Sequence, residues 1–333
     1  MDYAHTKTDR QILRLEKAIQ REYGIAIHDM QATLKKYEEV FAFEDAKKRA
    51  TLKPKEYIRW RANKIAQNRR LKEMIDILTA EYQQAHLKAQ ILTYRGMSEA
   101  YALNINYAVY AIEAKSLADL SFAVYSKETV DLLLKENPQL LPIPNKVKQA
   151  IKAGEFKAWS KKKISLAVTQ SILHGESMRG LAKRLRDVAK MEQGADIRNA
   201  RTAMTCAENM GRQSGYEYAK KKGLKIRKQW LATLDNRTRH EHRILDGQIV
   251  DVDDYFKVEG YEIKEPADPE AEGFLVYNCR CTTVAVFDGF ETYATDLPLS
   301  PKLGDMPYEE WKKAKPVYTP KKKGGKHGRT SKG

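Results

Sequence analysis

Cysteine is scarce in this chain, with three in 333 residues. An odd and small count excludes a disulfide framework and fits a reducing compartment, where thiols are buried, reactive or bound to metal. No run of 18 apolar residues occurs, and the opening MDYAHTKTDR has no apolar segment behind a charged start. A membrane span and a signal peptide are therefore not expected, and the chain reads as cytosolic where it is made. Also missing are G-x-x-x-x-G-K-[ST], G-x-S-x-G and H-E-x-x-H, which argues against a nucleotide-driven motor and against the usual serine and zinc protease frameworks.

What is present is enough for real cores: 42% hydrophobic residues over a length that suits two ordinary domains. The formal net charge is +16, unevenly spread. Residues 301–333 carry ten basic and three acidic side chains, whereas residues 251–272 carry two basic and nine acidic. The final KKKGGKHGRTSKG offers nothing apolar to bury, so it is expected to be a disordered basic tail. Lys321, Lys322, Lys323, Lys326, Arg329 and Lys332 there are candidate contacts for DNA phosphates, made by charge without sequence readout. A tail that is simply solvated has the same composition.

The first half reads as helix. Ile12, Leu15, Ile19 and Tyr23 repeat at helical spacing up to Gly24, and Ile75, Leu78, Tyr82, Ala85, Ala89 and Leu92 alternate steps of three and four. Pro54 suits the first turn of a helix. Such a long stripe serves either an intramolecular bundle or an oligomer seam. Three prolines in NPQLLPIPN, 137–145, interrupt it. The expected division is a helical arm or bundle over 1–136, a linker over 137–158, a folded module over 159–290, and a linker with the basic tail over 291–333.

Within the module, Ser177 can cap a helix bearing Leu181, Leu185 and Val188. A further helix, ended by Gly223, carries a seam of Ala200, Met204, Ala207, Gly211, Ser214 and Tyr218, small enough to admit another element closely. Cys206 beside it reads as a small buried hydrophobe. The period then changes: Ile226, Trp230 and Ala232 share one side of a strand, with Lys228 as a polar exception. DNRTRHEHRILDG reads as a short helix opened by Asp235 or Asn236 and closed by Gly247, and QIVDVDDYF as a strand. The fold class is α+β, a long helical half followed by helices and a small sheet.

NCRCTTVAVF, 278–287, places Cys279 and Cys281 on one face of an apolar strand. Two residues along a strand span about 6.6 Å with parallel Cβ vectors, which disfavours a disulfide. Both sulfurs could converge on one zinc if a turn at Asn278 starts the strand. His242 is the better third ligand, because it lies three residues before Leu245 on the inward face and His240 does not. Water or Asp235 would be the fourth. The alternative is a metal-free core of packed thiols and imidazole. Arg237, Arg239 and Arg243, bracketed by Asp235 and Asp246, form either an ion-pair network tying helix to sheet or general acid and base equipment for phosphodiesters.

The run W-L-A-T-L-D-N-R-T-R-H-E-H-R-I-L-D-G-Q at 230–248, with P-A-D-P at 266–269 and N-C-R-C at 278–281, resembles the Mu F-like phage head morphogenesis family of minor capsid or minor head proteins. A-R-T at 200–202 and N-M-G-R at 209–212 resemble the preceding helix of that family, and the likeness covers roughly residues 160–287. It maps the family histidine to His242, the thiols to Cys279 and Cys281, and the motif arginine to Arg239, within a structural motif of Asp235, Arg237, Thr238, Asp246, Gly247, Asn278 and Arg280. Ala203 departs from it, since relatives often carry glutamate there. The resemblance implies a minor head protein in few copies near the portal, assisting procapsid assembly and DNA packaging. Its expected partners are portal, capsid and scaffold proteins and, without sequence preference, DNA, with no membrane and no small-molecule substrate. It would occupy the host cytoplasm during assembly and then the virion. The competing expectation is a nuclease or other toxin-like enzyme using His242 and Arg239.

Overall fold

Asp2 caps the first helix: its carboxylate accepts the His5 backbone N–H at 3.0 Å, satisfying one of the orphan donors of the first turn. In this computed structural model, which describes residues 2–67, 69–136, 153–174, 176, 178–287 and 297–320, the capped helix α1 spans Tyr3–Thr51. Leu15, Ile19, Tyr23, Ala26, Met30 and Leu34 are buried along one stripe, so the periodicity runs on past Gly24. Helices α2 (Pro54–Gln67), α3 (Arg69–Ser116), α4 (Lys127–Glu136) and α5 (Ala153–Leu173) follow. Pro54 takes the first helical position, as its fixed φ favours. Of the expected linker at 137–158, residues 137–152 lie outside the described residues, and α5 starts at Ala153.

The two module helices expected from the sequence are one, α6, Met178–Lys221, of 44 residues. It ends as Gly223 requires: this residue sits at φ 96°, open to glycine, while the Leu224 N–H reaches back to the Ala219 carbonyl at 3.2 Å. The small-residue seam meets α3. A Cβ on Gly211 would stand 2.7 Å from the Tyr101 carbonyl oxygen, and one on Gly215 would stand 2.7 Å from the Ala108 methyl. Helices α1, α3 and α6 thus share one apolar core, reached from α1 by Ile19 and Tyr23, from α3 by Leu78 and Val109, and from α6 by Ala200 and Met204.

Beyond α6, strand β1 (Ile226–Leu231) alternates buried and half-buried residues, with Trp230 fully buried and Lys228 buried among apolar side chains. The Lys228 ammonium donates to the Lys264 carbonyl at 2.9 Å and to Gln213 at 3.2 Å. Burial holds it down at about 8, against the pull of Glu265. Helix α7 (His240–Leu245) and strands β2 (Ile249–Asp251), β3 (Phe256–Val258) and β4 (Tyr261–Ile263) come next. Then follow a single turn, α8 (Gly273–Val276), and β5 (Thr282–Phe287). The antiparallel sheet has the order β2-β1-β5, with Trp230 opposite Thr283. β3 and β4 form a hairpin whose Glu259 and Gly260 both take positive φ, the twist-matched two-residue turn.

Residues 297–320 are not the linker expected there. Helices α9 (Lys302–Asp305) and α10 (Tyr308–Ala314) pack back on the bundle. Trp311 is buried and donates its indole N–H to Glu113 at 2.6 Å, and the Lys315 ammonium lies 2.9 Å from the same carboxylate. A fully buried Glu113 needs such partners, and the segment's charge hid the apolar Leu303, Tyr308 and Trp311 that supply its burial.

Helix crossing at Gly211 makes a direct test. Gly211→Ala is expected to cost about 1–3 kcal/mol, since backbone must move to admit the methyl. Gly24→Ala, which meets nothing within 4 Å, is expected to gain about 0.5–1 kcal/mol. Thermal unfolding of both variants checks the pair.

Candidate functional site

The site is built from the two loops that flank the sheet. After β1, Asp235 folds the chain on itself: its carboxylate accepts the Arg237 backbone N–H at 2.9 Å, and its own N–H donates to the Thr238 hydroxyl at 3.0 Å. This turn launches α7. Asp246 closes the far side by accepting the Ala232 N–H at 2.7 Å, and Gly247, at φ 81°, returns its N–H to the Trp230 carbonyl at 2.9 Å. With the helix pinned at both ends, His242 and Leu245 point inward, three residues apart. His240 points away, its side chain 72% exposed and 3.4 Å from Glu259.

The thiols do not lie within the strand, as the sequence pattern suggested; β5 begins only at Thr282. Asn278 takes φ 57°, and this left-handed turn brings the sulfurs together where a straight strand would hold them parallel. The Cys281 N–H lies 3.4 Å from the Cys279 sulfur. His242 Nδ1 sits 3.2 Å from the Cys281 sulfur and 3.7 Å from that of Cys279, while Nε2 lies 3.0 Å from the Leu275 carbonyl oxygen. A carbonyl can only accept, so Nε2 carries a proton; Nδ1 faces the two sulfurs, where it donates to the Cys281 thiolate when protonated or offers its lone pair to an ion. The hydrogen bond from Cys279, with help from His242, holds Cys281 down at about 5; burial pushes Cys279 well up. The three donor atoms lie within 4.8 Å of one another, and all three residues are buried. Two sulfurs and an imidazole tautomer fixed by a backbone carbonyl form a donor set that suits zinc.

Asp235 is not a fourth ligand. It forms a two-pronged pair with Arg280, both contacts at 2.7 Å, which holds its carboxyl well below the usual range. The other arginines bind backbone: Arg239 the Tyr277 carbonyl, and Arg243 the carbonyls of Thr238 and Asp235. With Arg237 also 3.7 Å from Asp235, the expected network ties loop to loop with two ion pairs on that carboxylate and several carbonyl contacts. The tail residues Lys321, Lys322, Lys323, Lys326, Arg329 and Lys332 lie outside the described residues.

One set of residues was missed from the sequence. Thr205 donates to the Cys279 carbonyl at 3.0 Å, Asn209 to the Cys281 carbonyl at 3.2 Å, and Arg212 and Tyr216 to the Thr283 carbonyl, each at 3.0 Å. Every second carbonyl of the thiol segment is met by one face of α6. The polar spacing 205, 209, 212, 216 was the available signal. Arg212 also grips both carboxylate oxygens of Asp2 at 2.7 Å and donates to the Asn104 side-chain amide oxygen at 3.1 Å. A cavity of about 430 Å³ remains between α1 and this segment. Asp9 and Glu16 face it from α1, with Arg201, Arg239, Arg280 and the edge of the His242 and thiol group completing the wall.

His242→Ala is expected to cost about 2–4 kcal/mol, through an emptied buried site and stranded polar partners. His240→Ala should stay within about 0.5 kcal/mol. Denaturant unfolding that ranks the two equally would show that the buried imidazole does not hold the module.

Comparison with known proteins follows the same residues. Residues 162–284 match the family model described as Phage Mu protein F like protein. The minor head protein GP7 of Bacillus phage SPP1 is 26% identical over 312 residues, taking in 92% of this chain and 94% of that protein. An NAD(+)--arginine ADP-ribosyltransferase EFV of Enterococcus faecalis is 34% identical over 145 residues, 43% of this chain and 30% of the relative's length. This chain therefore spans less than a third of that longer protein. No solved structure matches. The family segment contains both loops of the site, and the similarity to a phage head component runs nearly end to end. Residues 162–284 thus match a phage head family, and the similarity to a minor head protein extends beyond them over nearly the whole chain.

Proposed function

We propose that this protein is a structural minor head component that assists procapsid assembly and DNA packaging near the portal, with portal and capsid or scaffold proteins as its partners. Near end-to-end similarity to a minor head protein supports this reading. At the site, the carrying observation is that His242 has both ring nitrogens engaged inside the module, one with the Leu275 carbonyl and one with the sulfurs. An imidazole so committed orients a fold; a general base for phosphodiester cleavage needs a nitrogen directed at its substrate. The nuclease reading is therefore the weaker one. The ADP-ribosyltransferase named among the relatives is matched over only 30% of its length, and its activity is not carried over.

His242, Cys279 and Cys281 are read as a zinc ligand set. Bound there, the ion would supply a node that closes the turn at Asn278 against α7, beside the apolar cluster of Trp230, Leu245 and Leu275. No helix among the described residues is long and apolar enough to cross a membrane, in keeping with a life in the head. The basic tail is read as the contact with packaged DNA, working through counterion release.

Elemental analysis of untagged protein should find zinc that is lost in Cys281→Ser; well-folded protein with zinc near zero removes the metal. Deleting residues 320–333 should leave thermal unfolding unchanged, weaken retention of DNA on a filter, and flatten its salt dependence by about 0.9 log units for each phosphate no longer neutralised. Equal binding by both forms at low and high salt removes the tail's role.

A further inference from the structure

A second group of metal-type donors, His86 and Asp196 buried and Glu192 partly so, lies where α1, α3 and α6 meet. His86 of α3 faces Glu192 and Asp196, which stand four residues apart on α6 and so share one face. His86 Nδ1 lies 2.9 Å from an Asp196 oxygen and 3.9 Å from a Glu192 oxygen, and all three donor atoms fall within 4.8 Å of one another. Ligands sharing a small divalent ion at about 2.1 Å stand roughly 3.4 Å apart in tetrahedral geometry. The observed separations straddle that value.

Two of the donors also have their own orienting partners. The Tyr23 hydroxyl of α1 donates to the same Asp196 oxygen at 2.7 Å, and the Gln90 amide lies 2.8 Å from His86 Nε2. Ligands held individually by second partners are characteristic of built metal sites. A side-chain amide can turn to present its oxygen, which would accept a hydrogen bond from Nε2–H and leave the Nδ1 lone pair for an ion. The group also sets two carboxyls against one imidazole in a buried place. Sites of this kind, made from side chains on facing helices, occur in bundle cores.

We propose that His86, Glu192 and Asp196 bind a divalent cation of the manganese or zinc class, locking α3 to α6 independently of the thiol site. One imidazole and two carboxylates favour such borderline to hard ions, whereas the sulfurs of Cys279 and Cys281 favour soft ones. Manganese therefore separates the two groups.

The test is a titration of full-length, chelator-treated protein with Mn²⁺, reading free ion by electron paramagnetic resonance and the bound ion by its coupling to ligand nitrogen. One Mn²⁺ per chain is expected, coupled to a single imidazole nitrogen, with a rise in the unfolding temperature. Asp196→Asn and His86→Gln should each weaken binding about tenfold or more, and Cys281→Ser should leave it unchanged. No bound Mn²⁺, bound ion without nitrogen coupling, binding that survives both substitutions, or loss of binding in Cys281→Ser would each overturn the proposal. The wild-type stoichiometry and nitrogen coupling decide the matter even if a variant fails to fold. The zinc content of the thiol site is read separately, so one site can fail without the other.

Discussion

Arg212 is the tie on which this architecture depends. Its guanidinium is only 2% exposed, and removing such an ion from water costs several kcal/mol unless geometry offsets it. Here the offset comes from three directions at once: the Asp2 carboxylate that opens α1, the Asn104 side chain of α3, and the Thr283 carbonyl of β5. A planar fork with five N–H donors can serve such a junction; a lysine ammonium could not. One side chain thus fixes the start of α1, the centre of the bundle and the edge of the sheet relative to α6.

That anchoring explains how so small a sheet can be orderly. The three-stranded sheet and the two-stranded hairpin enclose one small apolar cluster around Trp230, Phe256 and Ile263. They also lean on α6, whose Thr205, Asn209 and Tyr216 hold the carbonyls of 279, 281 and 283 in sequence. Only with that segment fixed do the Asn278 turn and the α7 histidine hold two sulfurs and an imidazole together. The helical bundle is therefore part of the site's construction, and the module is the part of the chain that the family model recognises.

Much of this was legible in the residues. The inward His242 and outward His240 followed from spacing to Leu245, because helical phase is a local property. Lys228 stood out as the polar member of a buried strand face, and the α6 seam announced a close helix crossing. Other features were not legible. The strand pattern of NCRCTTVAVF concealed that the first four residues precede the strand, with the turn at Asn278, since a cysteine satisfies an apolar alternation whether or not it is in a strand. Trp311 and its neighbours were obscured by the surrounding charge, and their burial depends on Glu113, some 200 positions earlier.

The sequence by itself determined the helices, the α+β class, the inward histidine, and the family to which its motifs point. These rest on periodicity and on short-range turn chemistry, which act within a few residues. Tertiary structure alone decided which carbonyls α6 would hold, where Arg212 would place its donors, and that His86 would meet Glu192 and Asp196 across the bundle. Such meetings join residues from 67 to 210 positions apart, and nothing in the local pattern encodes a partner that only the folded chain brings into contact.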